Sequence, residues 1–344
     1  MTRHFNVGIS GAGTIGRIHA EAIRNIGNAT LVAVAEPRED AGEAFVQEFG
    51  GTLFGSFVDM LARDDINVVV VTTPSGLHPD QVVLAAEAGK HVITEKPMAI
   101  TAEGLDRMID ATERAGVQLA VIFQNRLSAD VVRTKRAIEQ GVLGTPVLAN
   151  AAMYWHRTQE YYDANGGWRG TWALDGGGAL MNQAIHTVDL LQWLMGGIRS
   201  IGAHTATLTH EMETEDTATA SFTFRNGALG TISATTSAPK DWPIRIELVG
   251  TEGRITLENN VVTLWDAPIA KDTIQLTGDD QRLVDGWAPE EPFGKGHERQ
   301  LRMIFDAIAS GRPPYVPGRE AREAVDSILA IYESARTGTT VQRD

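Results

Sequence analysis

The first 125 residues alternate short apolar segments with longer segments of helical composition. The apolar segments contain few polar residues, which is typical of strands buried on both faces of a sheet. The predicted strands are residues 7–10, 31–35, 68–71, 91–93 and 119–123, and the predicted helices are residues 15–25, 38–49, 79–88 and 102–115. Alternating strands and helices indicate a parallel sheet covered by helices on both faces. We therefore predict a doubly wound α/β domain over residues 1–125.

Beyond residue 125 the pattern changes to strands that follow one another directly. The predicted strands are residues 218–224, 229–234, 244–249, 254–257 and 261–265, and the predicted helices are residues 129–140, 179–194, 297–310 and 319–336. Asn226-Gly227, between two alternating segments, is a strong hairpin signal. Tight turns between consecutive strands imply a mostly antiparallel sheet. The sequence therefore predicts a second α/β domain over residues 126–344.

The charge and composition of the chain exclude several classes of protein. The 344 residues carry 44 acidic and 30 basic side chains, a formal net charge of −14, which disfavours binding to nucleic acid or to an anionic membrane surface. The sequence has no cysteine, which excludes disulfides, thiolate nucleophiles, iron–sulfur clusters and the common structural zinc sites. The longest strongly apolar run, residues 66–71, is too short to cross a bilayer. We predict a cytoplasmic protein without a metal site.

A glycine-rich motif directly follows the first predicted strand. Gly11, Gly13 and Gly16 have the G-x-G-x-x-G spacing of dinucleotide-binding loops. The first glycine permits a tight turn, the second lets the backbone approach a pyrophosphate, and the third lets the helix pack closely on the sheet. Thr14 and Ile15 open that helix, whose free N–H groups would face the phosphates. A glycine-rich turn that binds nothing is the structural alternative.

The choice of cofactor depends on two residues at the end of the second strand. Glu36 stands where an acidic residue accepts hydrogen bonds from a ribose diol and repels a 2′-phosphate. Arg38, two residues further on, could instead lie over a 2′-phosphate. We predict that NAD is preferred and that NADP is possible.

Further strand ends lie at the same edge of the predicted sheet. Ligands of open α/β sheets bind outside the carboxyl ends of the strands. Lys96 stands between an acid and Pro97, which restricts its backbone, and a surface lysine beside a helix start is the alternative. The residues predicted to bind cofactor here are Thr73, Pro74, His78, Glu95, Lys96 and Gln124.

A second dense motif begins with three glycines, at positions 176–178. Consecutive glycines before a helix indicate that another backbone or a ligand comes very close. On the helix that follows, Asn182, His186 and Asp189 share one face. A lone helical histidine is more often structural, but the neighbouring amide and carboxylate favour a functional one. A metal site at these three residues is the weaker interpretation, because Asn is a poor zinc ligand.

Aromatic residues concentrate just upstream of the glycines. Six of the 12 Trp and Tyr residues of the chain fall between positions 154 and 172. Flat apolar faces with polar rims suit stacking on a sugar ring or a nicotinamide, and Arg157 and Arg169 add hydrogen-bond donors. An aromatic contact between subunits is the alternative.

Taken together, these motifs resemble the Gfo/Idh/MocA family of oxidoreductases. The residues that carry the resemblance are the glycine loop, Glu95-Lys96-Pro97, and the 176–178 glycines followed by His186 and Asp189. The resemblance implies an N-terminal Rossmann dinucleotide-binding domain and a C-terminal α/β domain with a large, mostly antiparallel open sheet. That sheet commonly joins subunits in the family, so a homodimer or homotetramer is implied.

The resemblance also implies roles for individual residues. Lys96 looks like the family lysine that contacts the substrate hydroxyl and the nicotinamide ribose, and His186 resembles the family acid/base histidine. Trp168 and Arg169 resemble a pair that reaches the nicotinamide. Many polyol dehydrogenases of the family have Asp where this chain has Asn182, which cannot take a proton, so proton transfer falls on Lys96 and His186. The predicted substrate contacts are Arg157, Tyr161 and Asp189.

We therefore predict an NAD(P)-dependent dehydrogenase of a sugar, polyol or sugar derivative. Lys96 and His186 would hold a secondary alcohol that loses hydride to the nicotinamide, and Asn182 would fix a neighbouring hydroxyl. One alternative is a retained-NAD enzyme that cleaves glycosides by transient oxidation. Another is a non-catalytic sugar sensor, which would be expected to lack Lys96 or His186.

Overall fold

The computed structural model describes residues 3–288 and 292–343. The chain forms two compact units, Met1–Gln124 with Glu291–Arg322, and Asn125–Glu290 with Glu323–Asp344. The predicted division at residue 125 assigned residues 291–322 to the second domain, whereas the structure places them in the first. The reason is apolar packing: Phe305 stacks on Phe5 with ring centroids 5.0 Å apart, and Leu301, Ile304 and Ile308 lie in the same buried core.

The first unit contains the predicted parallel sheet. Its strand order is β3-β2-β1-β4-β5-β6, and all the strand pairs are parallel. The strands are β1 Phe5–Ser10, β2 Ala29–Ala35, β3 Thr52–Phe54, β4 Val68–Val71, β5 His91–Thr94 and β6 Leu119–Val121. Every residue of β4 is buried, as expected for a central strand covered on both faces. The short β3, which has only one partner strand, was missed from the sequence.

The helices of the first unit begin and end close to the predicted positions. They are α1 Thr14–Arg24, α2 Glu39–Phe49, α3 Phe57–Leu61, α4 His78–Glu87, α5 Ala102–Ala115 and α10 Lys295–Ala309. The one-and-a-half-turn α3 was not predicted. In α5, the Thr101 side chain accepts a hydrogen bond from the backbone N–H of Gly104, and Gly116 ends the helix in the left-handed conformation.

The second unit is built on an eight-stranded sheet of order β13-β12-β11-β7-β10-β9-β8-β14. Only the β7–β10 pair is parallel among the strand pairs of the described residues. The strands are β7 Pro146–Tyr154, β8 Ile198–Ala206, β9 Thr217–Phe224, β10 Leu229–Thr235, β11 Arg245–Gly250, β12 Arg254–Glu258, β13 Val261–Asp266 and β14 Val341–Gln342. The predicted mostly antiparallel sheet is confirmed.

The hairpin predicted at Asn226-Gly227 joins β9 to β10. Thr223 pairs with Leu229, Gly227 has a φ of 91°, and the Asn226 side chain accepts from the backbone N–H of Ala228 at 3.0 Å. The Asx turn and the left-handed glycine together reverse the chain.

The remaining helices of the second unit are α6 Ala129–Glu139, α7 Gln159–Gly167, α8 Ile185–Met195, α9 Gly278–Asp285 and most of α11 Gly318–Thr337. The helix predicted over residues 179–194 is divided into a π-helical segment, Ala179–Ala184, and α8. No helix in the described part of the chain is both long and apolar enough to span a bilayer.

Candidate active site

The glycine loop between β1 and α1 has the conformation that the sequence predicted. Gly11 has a φ of 101°, which favours glycine. A Cβ on Gly16 would lie 2.1 Å from the Gly11 carbonyl oxygen, whereas a Cβ on Gly13 would meet nothing within 4 Å. Gly16 is therefore required for close packing, and Gly13 leaves open space at the N-terminus of α1 for a phosphate.

The carboxylate of Glu36 is part of this loop. One oxygen accepts from the backbone N–H of Ala12 at 3.0 Å, and the other accepts from Arg38 Nε at 2.8 Å. Burial alone would raise the pKa of Glu36, but the hydrogen bonds from Arg38 and Ala12 outweigh it and lower the pKa. Glu36 is thus an anion beside the phosphate loop, as an NAD ribose requires. Arg38 is paired with this anion in the structure.

His78 holds two of the predicted strand-end segments together. Its ring nitrogens lie 2.9 Å from the carbonyl oxygens of Thr73 and Pro97, and its side chain is buried. Burial lowers the pKa of His78, although both carbonyls favour the charged ring. His78 therefore fixes the loops that carry Pro74 and Lys96.

Glu95 lies at the centre of a buried cluster that sequence analysis missed. Glu95 Oε1 is 2.7 Å from His19 Nε2 and 3.6 Å from His297 Nε2. Its other oxygen accepts from the backbone N–H of Lys96 at 3.1 Å. His19 comes from α1 and His297 from α10, so three separate elements meet here. We name His19, Glu95 and His297 the His–Glu–His cluster.

Gln124, which follows β6 and was predicted to bind cofactor, also carries an open hydrogen-bonding group. Its Oε1 is buried and has no hydrogen-bond partner within residues 3–288 and 292–343. Its side chain packs against Gly296. Unpaired buried acceptors are uncommon in native proteins, so this oxygen fits a donor supplied by a bound cofactor.

The three glycines of the second unit make room for a buried carboxylate and a tyrosine. Glu215 accepts from the backbone N–H of Leu180 at 2.8 Å and of Gly178 at 3.1 Å, and from the Tyr332 hydroxyl at 3.0 Å. A Cβ on Gly178 would lie 2.1 Å from the Glu215 carbonyl oxygen, and one on Gly177 would lie 2.0 Å from the Tyr332 hydroxyl. The close approach predicted at this motif is therefore to protein atoms.

Asn182 belongs to a continuous chain of hydrogen bonds. Its amide nitrogen donates to Asp175 Oδ1 at 2.5 Å, and its amide oxygen accepts from Gln183 Nε2 at 2.9 Å. Gln183 also donates to the Tyr161 hydroxyl at 2.8 Å and accepts from Arg157 at 3.1 Å. These contacts fix the side chain of Asn182 and connect it to the aromatic segment.

Two guanidinium groups lie against the ring of Tyr161. The Arg169 guanidinium carbon is 4.7 Å from the ring centroid, and that of Arg157 is 5.5 Å away. Arg169 also stacks on Trp168 at 4.8 Å, and Arg157 on Trp155 at 4.8 Å. Arg169 forms no salt bridge with a carboxylate in the described part of the chain. We name Arg157, Tyr161 and Arg169 the arginine–tyrosine cluster, and its chemistry favours an anionic ligand.

Asp189, which the sequence predicted to contact substrate, forms a buried ion pair with Arg126. Its two oxygens accept from Arg126 Nε at 2.7 Å and Nη2 at 2.6 Å, and both side chains are about 1% exposed. A buried bidentate ion pair uses the carboxylate fully. His186, three residues earlier, is the second residue of α8 and is half-buried.

Several site residues could not be recognised from local sequence. Asp175 directly precedes the glycines, which is a usable signal. Glu215 and Tyr332 contact the same glycines from distant parts of the chain, and no local pattern connects them. The same holds for His19 and His297 around Glu95.

A parallel sheet with a glycine loop after its first strand and an acidic residue after its second is typical of a dinucleotide-binding domain. The oxidoreductase family with an NAD-binding Rossmann fold matches residues 5–123, and the GFO/IDH/MocA C-terminal domain matches residues 131–256. The chain belongs to the GFO/IDH/MocA family of oxidoreductases. The predicted resemblance, fold class and cofactor are confirmed, and the protein is an NAD-dependent sugar or polyol dehydrogenase.

Similar proteins come from several branches of the family. The crystal structure of the WlbA dehydrogenase from Bordetella pertussis, in complex with NADH and UDP-GlcNAcA, is 36% identical, with a TM-score of 0.91, and the match covers 99% of this chain and 98% of that one. Levoglucosan dehydrogenase, in complex with NADH and levoglucosan, is 26% identical, with a TM-score of 0.88 and 99% of both chains covered. The myo-inositol 2-dehydrogenase of Thermotoga maritima is 26% identical over 93% of this chain and 92% of its own length.

Proposed function

We propose that Lys96 and His186 transfer the proton when a secondary alcohol of the substrate is oxidised. NAD, when bound, would supply the acceptor for the hydride of the alcohol carbon, and the Lys96/His186 pair would take the hydroxyl proton. Asn182, held by Asp175 and Gln183, would orient a neighbouring hydroxyl. The glycine loop, Glu36 and Gln124 would hold the cofactor, and Thr73, Pro74 and His78 would shape the adjoining loops.

We further propose that the substrate is an acidic sugar carried on a nucleoside diphosphate. The observation that carries this proposal is the arginine–tyrosine cluster, which is joined to Asn182 through Gln183. Arg157 is 3.5 Å from Asp241, whereas Arg169 has no carboxylate partner among the described residues, so a bound carboxylate or phosphate would pair the charge of Arg169. The 36% identity to a dehydrogenase crystallised with UDP-GlcNAcA supports the same class.

Steady-state kinetics with NAD would test the substrate class. We expect a much higher kcat/KM for UDP-GlcNAcA than for myo-inositol or levoglucosan. Arg157→Ala and Arg169→Ala should each raise KM for the acidic substrate about 10- to 100-fold, because a hydrogen bond to a charged group contributes about 1.5–3 kcal/mol. The exposed Arg114→Ala is the matched control and should leave KM unchanged. Equal effects of both variants on a neutral polyol would refute the anionic assignment.

We also propose that subunits associate through the open face of the eight-stranded sheet. Leu148 and Leu229 are paired on β7 and β10, and they are 36% and 57% exposed. Exposed leucines on the two central strands of a sheet are typical of a surface that another subunit covers. Light scattering should give a dimer or tetramer, and Leu229→Lys should shift the mass toward that of a monomer. A wild-type monomer at micromolar concentration would refute this proposal. The cytoplasmic location stays a prediction.

A further inference from the structure

The side-chain amides of Asn182 and Gln183 form a chain of hydrogen bonds with a charged group at each end. At one end, Asp175 Oδ1 accepts from Asn182 Nδ2 at 2.5 Å, and Asp175 Oδ2 accepts from the backbone N–H of Gly170 at 2.8 Å. At the other end, Arg157 Nη2 donates to Gln183 Oε1 at 3.1 Å. An ionised carboxylate only accepts and a guanidinium only donates, so each end allows one orientation of the amide that it contacts.

The orientations imposed at the two ends agree in the middle of the chain. Asn182, held through its nitrogen, presents its oxygen, and Gln183, held through its oxygen, presents its nitrogen. These two atoms are 2.9 Å apart. Adjacent side chains of an α-helix do not face each other, but Asn182 and Gln183 lie in the π-helical segment Ala179–Ala184. The direction of donation along the chain is therefore fixed.

The same Gln183 nitrogen determines the direction of the Tyr161 hydroxyl. It donates to the hydroxyl oxygen at 2.8 Å, so the hydroxyl proton must point away from Gln183. In the described part of the chain, the Tyr161 hydroxyl forms no second hydrogen bond. Tyr161 is half-buried, and the guanidinium groups of Arg157 and Arg169 lie against its ring. The cluster therefore holds a directed proton donor beside two cations.

We propose that Gln183 is a positioning residue that fixes the Tyr161 hydroxyl as a hydrogen-bond donor to an anionic oxygen of the substrate. This inference rests on the proposed substrate, an acidic sugar on a nucleoside diphosphate, and adds the contact that recognises it. The oxygen belongs to the carboxylate or to the diphosphate, since both are acceptors. A polyol hydroxyl can accept the same bond, but a bond to a charged acceptor is about twice as strong. Gln183 thereby favours anionic over neutral substrates.

The test is a double-mutant cycle on substrate affinity. Isothermal titration calorimetry of the enzyme loaded with NADH measures Kd without turnover. Gln183→Glu keeps the shape and the bond from Arg157, but it offers the phenol an acceptor, so the proton turns away from the substrate. Tyr161→Phe removes the proton. Each variant should raise Kd for UDP-GlcNAcA about 10- to 100-fold, because a hydrogen bond to a charged group is lost.

The cycle separates the phenol proton from other effects at position 183. In the Tyr161→Phe background, Gln183→Glu should raise Kd by no more than about threefold, because only its weaker contacts with neutral groups remain to be lost. The exposed Gln140→Glu is the matched control for the added charge and should leave Kd unchanged.

A second substitution at the same position adds no charge. Gln183→Leu removes the donor that orients the phenol, and it should raise Kd about fivefold, the effect of one neutral hydrogen bond. In the Tyr161→Phe background it should have no effect. Gln183→Leu carries the test if Gln183→Glu does not fold.

A comparison of two ligands identifies the anionic oxygen. UDP-GlcNAc keeps the diphosphate and lacks the carboxylate of UDP-GlcNAcA. If the hydroxyl donates to the carboxylate, the coupling between the two positions disappears with UDP-GlcNAc. If it donates to the diphosphate, the coupling is the same for both ligands. Either result supports a directed donor to an anion.

Equal effects of the Gln183 substitutions in both backgrounds would overturn the inference, because Gln183 would not act through Tyr161. An unchanged Kd in Tyr161→Phe would overturn it as well. If the wild type binds UDP-GlcNAcA tightly in either case, the proposed substrate class stands and only the role of Gln183 fails. A wild type that binds UDP-GlcNAcA no more tightly than myo-inositol would refute the substrate class and the inference together.

Discussion

Two buried glutamates, one in each unit, have pKa values shifted in opposite directions. Burial alone raises the pKa of both. The neighbouring His19, His297 and Lys96 lower the pKa of Glu95 to about 2. Glu215 receives its hydrogen bonds from two backbone N–H groups and a tyrosine hydroxyl, which do not overcome burial, and its pKa is raised to about 7. Ionisable neighbours therefore keep one carboxylate charged, whereas neutral donors leave the other able to titrate.

The opposite pKa shifts suggest different roles for Glu95 and Glu215. Glu95 accepts a hydrogen bond from the backbone N–H of Lys96, so it helps to position the loop that carries this proposed catalytic residue. Glu215 accepts hydrogen bonds from the backbone N–H groups of Gly178 and Leu180. These groups open the segment that leads to Asn182 and His186, so Glu215 helps to fix the position of that segment. The predictions below test this contrast, beginning with the largest effect.

The largest effects are expected from removing the two side chains that are proposed to transfer the proton, Lys96 in the first unit and His186 in the second. Lys96→Ala and His186→Ala should each lower kcat about 10²–10⁴-fold, which is the usual contribution of a general acid or base. If both residues act on one proton, the double variant should be much less impaired than the product of the single effects. Kinetics with NAD and the fastest substrate measure this, and NADH fluorescence checks cofactor binding. Near-wild-type turnover by both single variants would show that the site assignment is wrong.

Adding a side chain at Gly178 should disrupt the close packing of the glycines against Glu215. Gly178→Ala places a Cβ 2.1 Å from the carbonyl oxygen of Glu215, and backbone atoms cannot move aside cheaply. We expect a loss of about 3 kcal/mol in the free energy of unfolding, near the upper end for overpacked sites. Gly27→Ala is the matched control, because its Cβ would meet nothing within 4 Å. Denaturant unfolding measures both variants, and equal midpoints would contradict the packing argument.

The titration of Glu215 should make the free energy of unfolding depend on pH. A carboxyl whose folded pKa is raised to about 7 stabilises the fold fully below its unfolded pKa, about 4.3. That stabilisation is lost as the pH rises through 7. The wild type should lose a few kcal/mol between pH 4.5 and 8 relative to Glu215→Gln, which does not titrate. Parallel curves for the two proteins across this range would mean that Glu215 keeps its ordinary pKa in the fold.

The contrast between the glutamates also shows what sequence could predict. The glycine loop, Glu36 and Lys96 directly follow β1, β2 and β5. A parallel sheet brings the carboxyl ends of its strands together at one edge, so these positions were predictable. The partners of the two buried glutamates come from helices far away in the chain: His297 is about 200 residues from Glu95, and Tyr332 is more than 100 residues from Glu215. Such contacts depend on how helices pack, which local periodicity does not encode. The same limit led to the assignment of residues 291–322 to the second domain.

A third glutamate, Glu36, combines the two kinds of partner, a neutral backbone donor and a charged side chain. Its substitution should give the smallest of the predicted effects. It accepts from the neutral Ala12 N–H and from the charged Arg38, and its pKa is lowered despite burial. Glu36→Ala removes the anion that repels a 2′-phosphate and frees Arg38 to bind one. The ratio of kcat/KM for NAD to that for NADP should fall about tenfold, equivalent to about 1.4 kcal/mol. Glu36→Asp is the control and should keep the preference for NAD. An unchanged ratio in Glu36→Ala would mean that other contacts to the ribose determine the choice of cofactor.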